Sequence, residues 1–242
     1  MTETALTYAG CPDLPYATER ELAVMQLLAD PLTSRMGPAE LPELVTCADA
    51  ALALGRAEAE RLDVRDPEEL LRERRVALHR IPGEGPGARA GYHLAALTTC
   101  DLNHPEKSHV DLYVDVIARK REGLLAAGVR VGQEALERLH LAHECFHVID
   151  FLEHRRSADK VGTVNVRGAF FRSRRRALGR ASEVAAHAFA RAWMGAVLVP
   201  SPALADELAL LGMGESSREG FARRLERARG LIGADESGLP AL

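Results

Sequence analysis

The sequence predicts an α+β fold that is mainly helical and carries a small, mostly antiparallel sheet of about three strands. Two observations indicate this class. Over most of the 242 residues, apolar side chains recur at three- and four-residue steps, which is the period of an amphipathic helix. Between residues 75 and 116 the period falls to two, which is typical of strands with one buried face.

The N-terminal part is predicted to be helical after a loose arm over residues 1–16. One helix spans about 17–30 and a longer one about 38–62, each with apolar residues on one side. Asp66, followed by a proline and two glutamates, indicates an N-cap, so a short helix should occupy about 67–72. We expect residues 1–65 to form a helical region packed on the core of the main domain.

Alternating runs in the middle of the chain predict the strands, and turn-rich segments separate them. The three runs are 76–81, 92–97 and 109–116. A further helix over about 118–127 leads into a helical segment that contains LHLAHECFHVIDFL. We expect the main domain to cover 66–200.

The remainder of the chain is predicted to be mostly helical. A short extended piece is expected at 161–166, and helices are expected near 182–193, 203–211 and 217–231. The part after residue 200 is treated as a C-terminal helical extension, 201–242.

A histidine pair marks the candidate site. His143, Glu144 and His147 form an HExxH pattern, which on a helix places two imidazoles about 40° apart around the axis and about 6 Å apart along it. That spacing lets both rings hold one metal ion, and Glu144 can then take a proton from water bound at the open position. Two ordinary helix histidines are the alternative interpretation.

The residues around the pattern favour the metal interpretation, because they predict a helix that is half buried. The apolar positions are Leu136, Leu139, Ala142, Cys145, Phe146, Ile149 and Leu152. The histidines lie beside this apolar stripe, at the edge of the buried face, where a cleft can form. Cys145 should therefore be a buried thiol.

A third ligand must come from elsewhere, because zinc bound by two histidines usually takes one more protein ligand. Glu153 would face about 240° away from His147 on a continuous helix, and His154 would lie about 10 Å further along. Glu183 follows His147 by 36 residues and opens a predicted helix with Ser182 as N-cap. His187, one turn on, is either an outer partner of a ligand or the ligand itself; Glu183 would then be a surface charge.

These motifs resemble the ImmA/IrrE group of gluzincin-like metallopeptidases over roughly residues 66–200. The resemblance rests on an AHExxH helix, on a later glutamate helix followed by proline, and on the matches Ala142, His143, Glu144, His147, Glu183, Ala186, Phe189, Ala190 and Pro200. Ala185 stands where the family often has a second acid. The resemblance implies a zincin-like domain and a zinc-dependent protease that acts on protein.

The sequence thus predicts a zinc-dependent metallohydrolase, a peptidase with His143, His147 and Glu183 as ligands and Glu144 as general base. Two alternatives remain. The same ligands suit Fe²⁺ in a non-heme iron enzyme, and a metallopeptidase-like fold could serve as a non-catalytic binding or sensor protein. Candidates for stabilising the oxyanion are Tyr92, Tyr113, His109 and Arg191.

Composition restricts the partners. A net charge of −4 argues against a general nucleic-acid binder, and no run approaches the roughly 18 apolar residues of a membrane span. The start lacks a secretory signal, and Cys11, Cys47, Cys100 and Cys145 form no CxxC pair, so we expect reduced thiols in the cytoplasm. A peptide or protein substrate is the expected partner, and the sequence does not indicate an oligomeric state.

A basic cluster lies before the second candidate ligand helix. Its members are Arg172, Arg174, Arg175, Arg176 and Arg180. It is interpreted either as a solvated helical face or mobile loop, or as an anion-recruiting rim near the cleft.

Overall fold

The computed structural model describes residues 17–83, 85, 94–153, 156, 158–167, 173–195 and 201–237. The predictions for the arm over 1–16 lie outside these residues. So do those for Cys11, Tyr92, His154, Arg172 and Pro200.

Helices dominate the described chain, and the predicted α+β class is confirmed. The helices are α1 Glu19–Leu28, α2 Glu43–Arg61, α3 Pro67–Glu73, α4 Val114–Ala126, α5 Gln133–Leu152, α6 Ala158–Val161, α7 Arg180–Met194, α8 Pro202–Gly212 and α9 Arg218–Ser237. Short 3-10 helices occupy Pro31–Arg35 and Pro105–Lys107.

Side chains fix the starts of several helices. Thr18 and Glu21 form a capping box at α1, with reciprocal hydrogen bonds of 3.2 and 2.6 Å. Asp66 caps α3 as predicted, because its Oδ1 accepts from the Glu69 N–H at 2.9 Å. Helix α2 begins only at Glu43, because residues 38–42 form hydrogen-bonded turns rather than a helix.

The central sheet contains β1 Ala77–Ile81, β2 Ala96–Thr99 and β3 His109–Tyr113 in the order β1-β3-β2. The prediction of a mostly antiparallel sheet is wrong, because β1 runs parallel to β3 and only β2 is antiparallel to it. The chain reverses before β2 and again before β3, so the first and third strands point the same way. The sequence signal for these strands is the alternation of apolar and polar side chains, which is the same in parallel and antiparallel pairs.

A second, two-stranded sheet pairs β4 Thr163–Arg167 with β5 Ser173–Ala177. The prediction of a helical face or loop for the arginine cluster is therefore wrong for Arg174, Arg175 and Arg176, which lie in β5 with exposed side chains. The partner strand decides the conformation, because β4 is anchored by buried Val164 and Val166. Pairing with an anchored strand overrides the local preferences of the arginine run.

Helix α7 packs closely against both α2 and α5. A Cβ at Gly55 of α2 would lie 2.1 Å from the Ala185 carbonyl oxygen, so only glycine permits this approach. On the other side, Phe189 of α7 contacts Phe146 of α5 with ring centroids 5.8 Å apart. The Trp193 indole donates to the Val64 carbonyl at 2.7 Å. These contacts fix the position of α7 relative to the HExxH helix.

One continuous hydrophobic core runs through the described chain from Ala17 to Leu231. Helices on either side of the expected boundaries at 65 and 200 contribute to it, so the division into three regions stays a prediction. Among the described residues, no helix combines the length and the apolar character needed to cross a bilayer.

Candidate metal centre

Helix α5 carries three of the predicted site residues at the edge of its buried face. Cys145, Phe146 and Ile149 are fully buried, and all three belong to the main core. Burial raises the pKa of the Cys145 thiol well above its usual range, and its Sγ lies 3.6 Å from the Pro67 carbonyl. Cys145 is therefore a buried structural thiol, as predicted.

His143, His147 and Glu183 bring three ligand atoms together. The two Nε2 atoms are 3.1 Å apart, and they lie 3.2 and 3.5 Å from the two Glu183 carboxylate oxygens. Two ligands placed 2.0–2.1 Å from a tetrahedral zinc ion would be separated by roughly 3.3 to 3.4 Å. The two Nε2 atoms lie near that spacing, each has one Glu183 oxygen close to it, and one ligand atom from each of the three residues lies within 4.8 Å of the other two. The residues present therefore fit a metal ion.

Glu183 reaches the histidines from the first turn of α7. The prediction that Ser182 caps this helix is wrong, because α7 starts two residues earlier, at Arg180. Asp30 supplies part of the missing cap from a distant segment, since its Oδ2 accepts from the Arg180 N–H at 3.0 Å. Ser182 instead places its Oγ 3.2 Å from Nδ1 of His147, where it can accept a hydrogen bond and orient the ring.

Thr98 of β2 holds the predicted base. Its hydroxyl donates to Oε2 of Glu144 at 2.7 Å, and the glutamate is only 7% exposed. No described residue donates a hydrogen bond to Oε1 of Glu144, so that oxygen keeps its capacity to accept a proton. Sequence reasoning missed Thr98, because nothing in a strand's alternation says which hydroxyl will face the metal helix.

His187 lies beside the ligands but outside the cluster of three. Its ring centroid is 4.7 Å from that of His143, Nδ1 is 3.0 Å from the Gln26 side-chain amide, and Nε2 is 3.9 Å from Asp206 Oδ2. Burial, together with the nearby His143, lowers the pKa of His187 to about 3. His187 is thus a neutral side chain packed against His143. The cluster of three possible ligands contains Glu183 and not His187.

The pKa values of Glu183, His143 and His147 are shifted by burial and by the charges of the neighbouring side chains. Burial alone would raise the pKa of Glu183, but the hydrogen bond and charge of His143 hold it far below its usual range. Burial opposes protonation of His143, yet the hydrogen bond that its ring donates to Glu183, together with the charge of that carboxylate, outweighs burial and raises the His143 pKa. For His147, burial and the neighbouring His143 together lower the pKa. One imidazole is therefore kept neutral and ready to bind a cation.

These groups open into a cleft of about 540 Å³. Its walls include β2, the exposed side of α5 and the start of α7, with Thr98, Asp150, Arg156, Asp159 and Ser182 among the lining residues. Three of the expected oxyanion helpers lie elsewhere. Tyr113 packs near Gly85, His109 contacts Asp111, and Arg191 pairs with Glu19.

Comparison of the chain with protein-family models, with curated proteins and with solved structures finds no match.

Proposed function

We propose that the protein is a zinc-dependent metallohydrolase that cleaves peptide bonds. His143, His147 and Glu183 would hold the ion and Glu144 would act as general base. The grouping of the three side chains carries the proposal, because two imidazoles and a carboxylate offer ligand atoms that all lie within 4.8 Å of one another, and this is a ligand set that zinc uses. The resemblance of the motifs to ImmA/IrrE-like metallopeptidases with a zincin-like domain accords with it.

Zinc, when bound, would supply Lewis-acid chemistry by activating a water molecule and polarising a substrate carbonyl. The protein's own contribution centres on Glu144. Thr98 occupies Oε2, so Oε1 is the atom that accepts the proton of the attacking water and returns it to the leaving amine. Ser182 restrains the His147 ring through Nδ1, which would leave Nε2 as the nitrogen that holds the metal.

The cleft favours an extended peptide as substrate. Strand β2 lies at one end of the sheet order, and among the described strands it pairs only with β3. Its residues 96–99 line the cleft, so a peptide could add to the free edge as a further strand. Leu94 and Leu97 are each 37% exposed there and would meet apolar side chains of the substrate.

A reducing compartment accords with this function, and we propose the cytoplasm. Cys47, Cys100 and Cys145 are free thiols. Burial raises the pKa of Cys47 and of Cys100 to about 11, which suppresses thiolate formation at neutral pH.

The deciding experiment compares zinc-loaded parent protein with Glu144→Gln on a mixed peptide library, read by mass spectrometry. The parent should release fragments, and the variant should bind one equivalent of zinc but lose at least about a hundredfold in rate. Equal rates would remove Glu144 as the base. No cleavage by the zinc-loaded parent would favour a binding or sensor protein. Elemental analysis of protein purified without added metal separates zinc from iron.

A further inference from the structure

A second pocket adjoins the metal cleft. It has a volume of about 260 Å³ and shares His143, Glu144 and Glu183 with the cleft. Residues 94–96 at the start of β2 form an apolar side of this pocket. Its polar lining comes from α1, α4, α5, α7 and α8, and includes Gln26, Lys120, His140, Arg180, His187 and Asp206. A substrate held at the metal centre could therefore extend a polar group into this space.

Donors line the floor of this second pocket. Lys120 donates to Asp206 Oδ1 at 2.8 Å, which uses one of the three hydrogens on its ammonium group. Nε2 of His140 is buried and has no hydrogen-bond partner among the described residues. A buried polar atom without a partner costs stability, and in the tautomer that carries its proton on Nε2 this ring would donate to an acceptor on a ligand.

The charged residues that line the second pocket indicate which kind of acceptor group a ligand would place there. Lys120 and Asp206 form an ion pair and cancel each other. Arg180 is exposed at the pocket wall, and its guanidinium makes no ion pair with any residue in the described ranges. Glu144 and Glu183 also line the pocket but belong to the metal centre, where a bound cation would offset their charge. The charge left for a ligand beyond the metal centre is then that of Arg180, and a guanidinium binds a carboxylate through two parallel hydrogen bonds.

We propose that this pocket is a subsite for a carboxylate of the substrate, with Arg180 as its specificity-determining residue and Lys120 and His140 at its floor. This inference rests on the proposed peptidase function. The carboxylate can be a substrate's free C-terminus or the side chain of an aspartate or glutamate. Both present the same two oxygens. Peptides that vary only the side chain or only the C-terminus distinguish the two sources.

The test uses zinc-loaded parent protein, Arg180→Ala, Arg180→Lys and the matched control Arg174→Ala. Arg174 is exposed on β5 and does not line either pocket. The probes are acetylated alanine pentapeptides in two paired sets: one with aspartate or asparagine at each position in turn, the other with a free or an amidated C-terminus. Cleaved probes are compared by kcat/KM, and uncleaved probes by the Kd from calorimetric titration.

For one pair of probes, the parent should show about tenfold higher kcat/KM, or about tenfold lower Kd, with the charged member. This is the difference expected from one charge-assisted hydrogen-bonding contact. Arg180→Ala should reduce that preference to about twofold, Arg180→Lys should keep part of it, and Arg174→Ala should leave it unchanged. Preference only for the free C-terminus assigns the terminal carboxylate, and preference only for aspartate assigns the side chain.

Equal kcat/KM and Kd values for charged and neutral probes would contradict the proposed subsite. An undiminished preference for the charged probe in Arg180→Ala would contradict it too. Either result leaves peptide cleavage itself intact. If no probe or library peptide is cleaved, the hydrolase proposal fails, while the paired Kd values still decide the carboxylate subsite.

Discussion

The hydroxyl of Thr98 donates a hydrogen bond to the carboxylate of Glu144 across 2.7 Å, from strand β2 to helix α5. The same hydroxyl lies 3.4 Å from the Glu144 carbonyl oxygen. The small sheet therefore has a direct part in the candidate site, because its edge strand fixes the side chain expected to move the proton. An unrestrained glutamate would have to lose rotamer freedom each time it took up that position.

Replacing Thr98 with valine should slow hydrolysis without removing the metal. The change keeps the shape of the side chain but removes a hydrogen bond to a charged group, so a loss of roughly tenfold or more in kcat is expected. Zinc content should stay at one equivalent. Thr98→Ser restores the hydroxyl and should recover most of the rate; a serine variant as slow as the valine variant would contradict the assigned role.

The choice between Glu183 and His187 as third ligand can be made from metal content alone. Glu183→Ala removes one of three clustered donors and should lower bound zinc well below one equivalent after dialysis. His187→Ala leaves the cluster complete and should retain the ion. Elemental analysis of both variants is the measurement. One equivalent of zinc in Glu183→Ala, together with loss in His187→Ala, would reverse the assignment.

Gly55→Ala should destabilise the protein by about 1–3 kcal/mol, because its Cβ would overlap the backbone of α7. Zinc affinity should fall as well, since α7 carries Glu183. Gly230→Ala in α9 is the matched control, because a Cβ there meets nothing within 4 Å. That control should be neutral or stabilising by up to about 1 kcal/mol. Urea unfolding of both variants measures the difference, and equal stabilities would contradict the close approach of α2 and α7.

Glu153→Gln should lower stability near pH 7 by about 1 kcal/mol or less. Burial opposes ionisation of Glu153, but hydrogen bonds from Arg61 and Arg74 outweigh it and lower its pKa in the folded state. The stabilisation is therefore present above the unfolded-state pKa and is lost as pH falls through the lowered folded-state value. The difference in unfolding free energy between parent and variant should shrink toward zero in acid. A constant difference from pH 7 to pH 3 would show that the charge is not its source.

The sequence predicted the cluster of candidate ligands better than its surroundings. The positions of His143 and His147 follow from one helical turn, and the structure places Glu183 beside them, at the start of a later helix. The parallel pairing of β1 with β3 could not be predicted, because strand alternation does not carry direction. Thr98 and Gln26 approach the site from segments far away in sequence, so only the packed chain brings them there.

The close fit of α7 against α2 also limits how far the chain can be shortened. Truncation to the segment 66–200 would delete α2 and uncover the face of α7 around Ala185, which in the whole protein is covered by Gly55. The glutamate that completes the trio of donors would then sit on a helix with one side unsupported. The N-terminal helices are for this reason part of the smallest unit expected to keep the three candidate ligands together, and trimmed versions made for biochemistry should retain them.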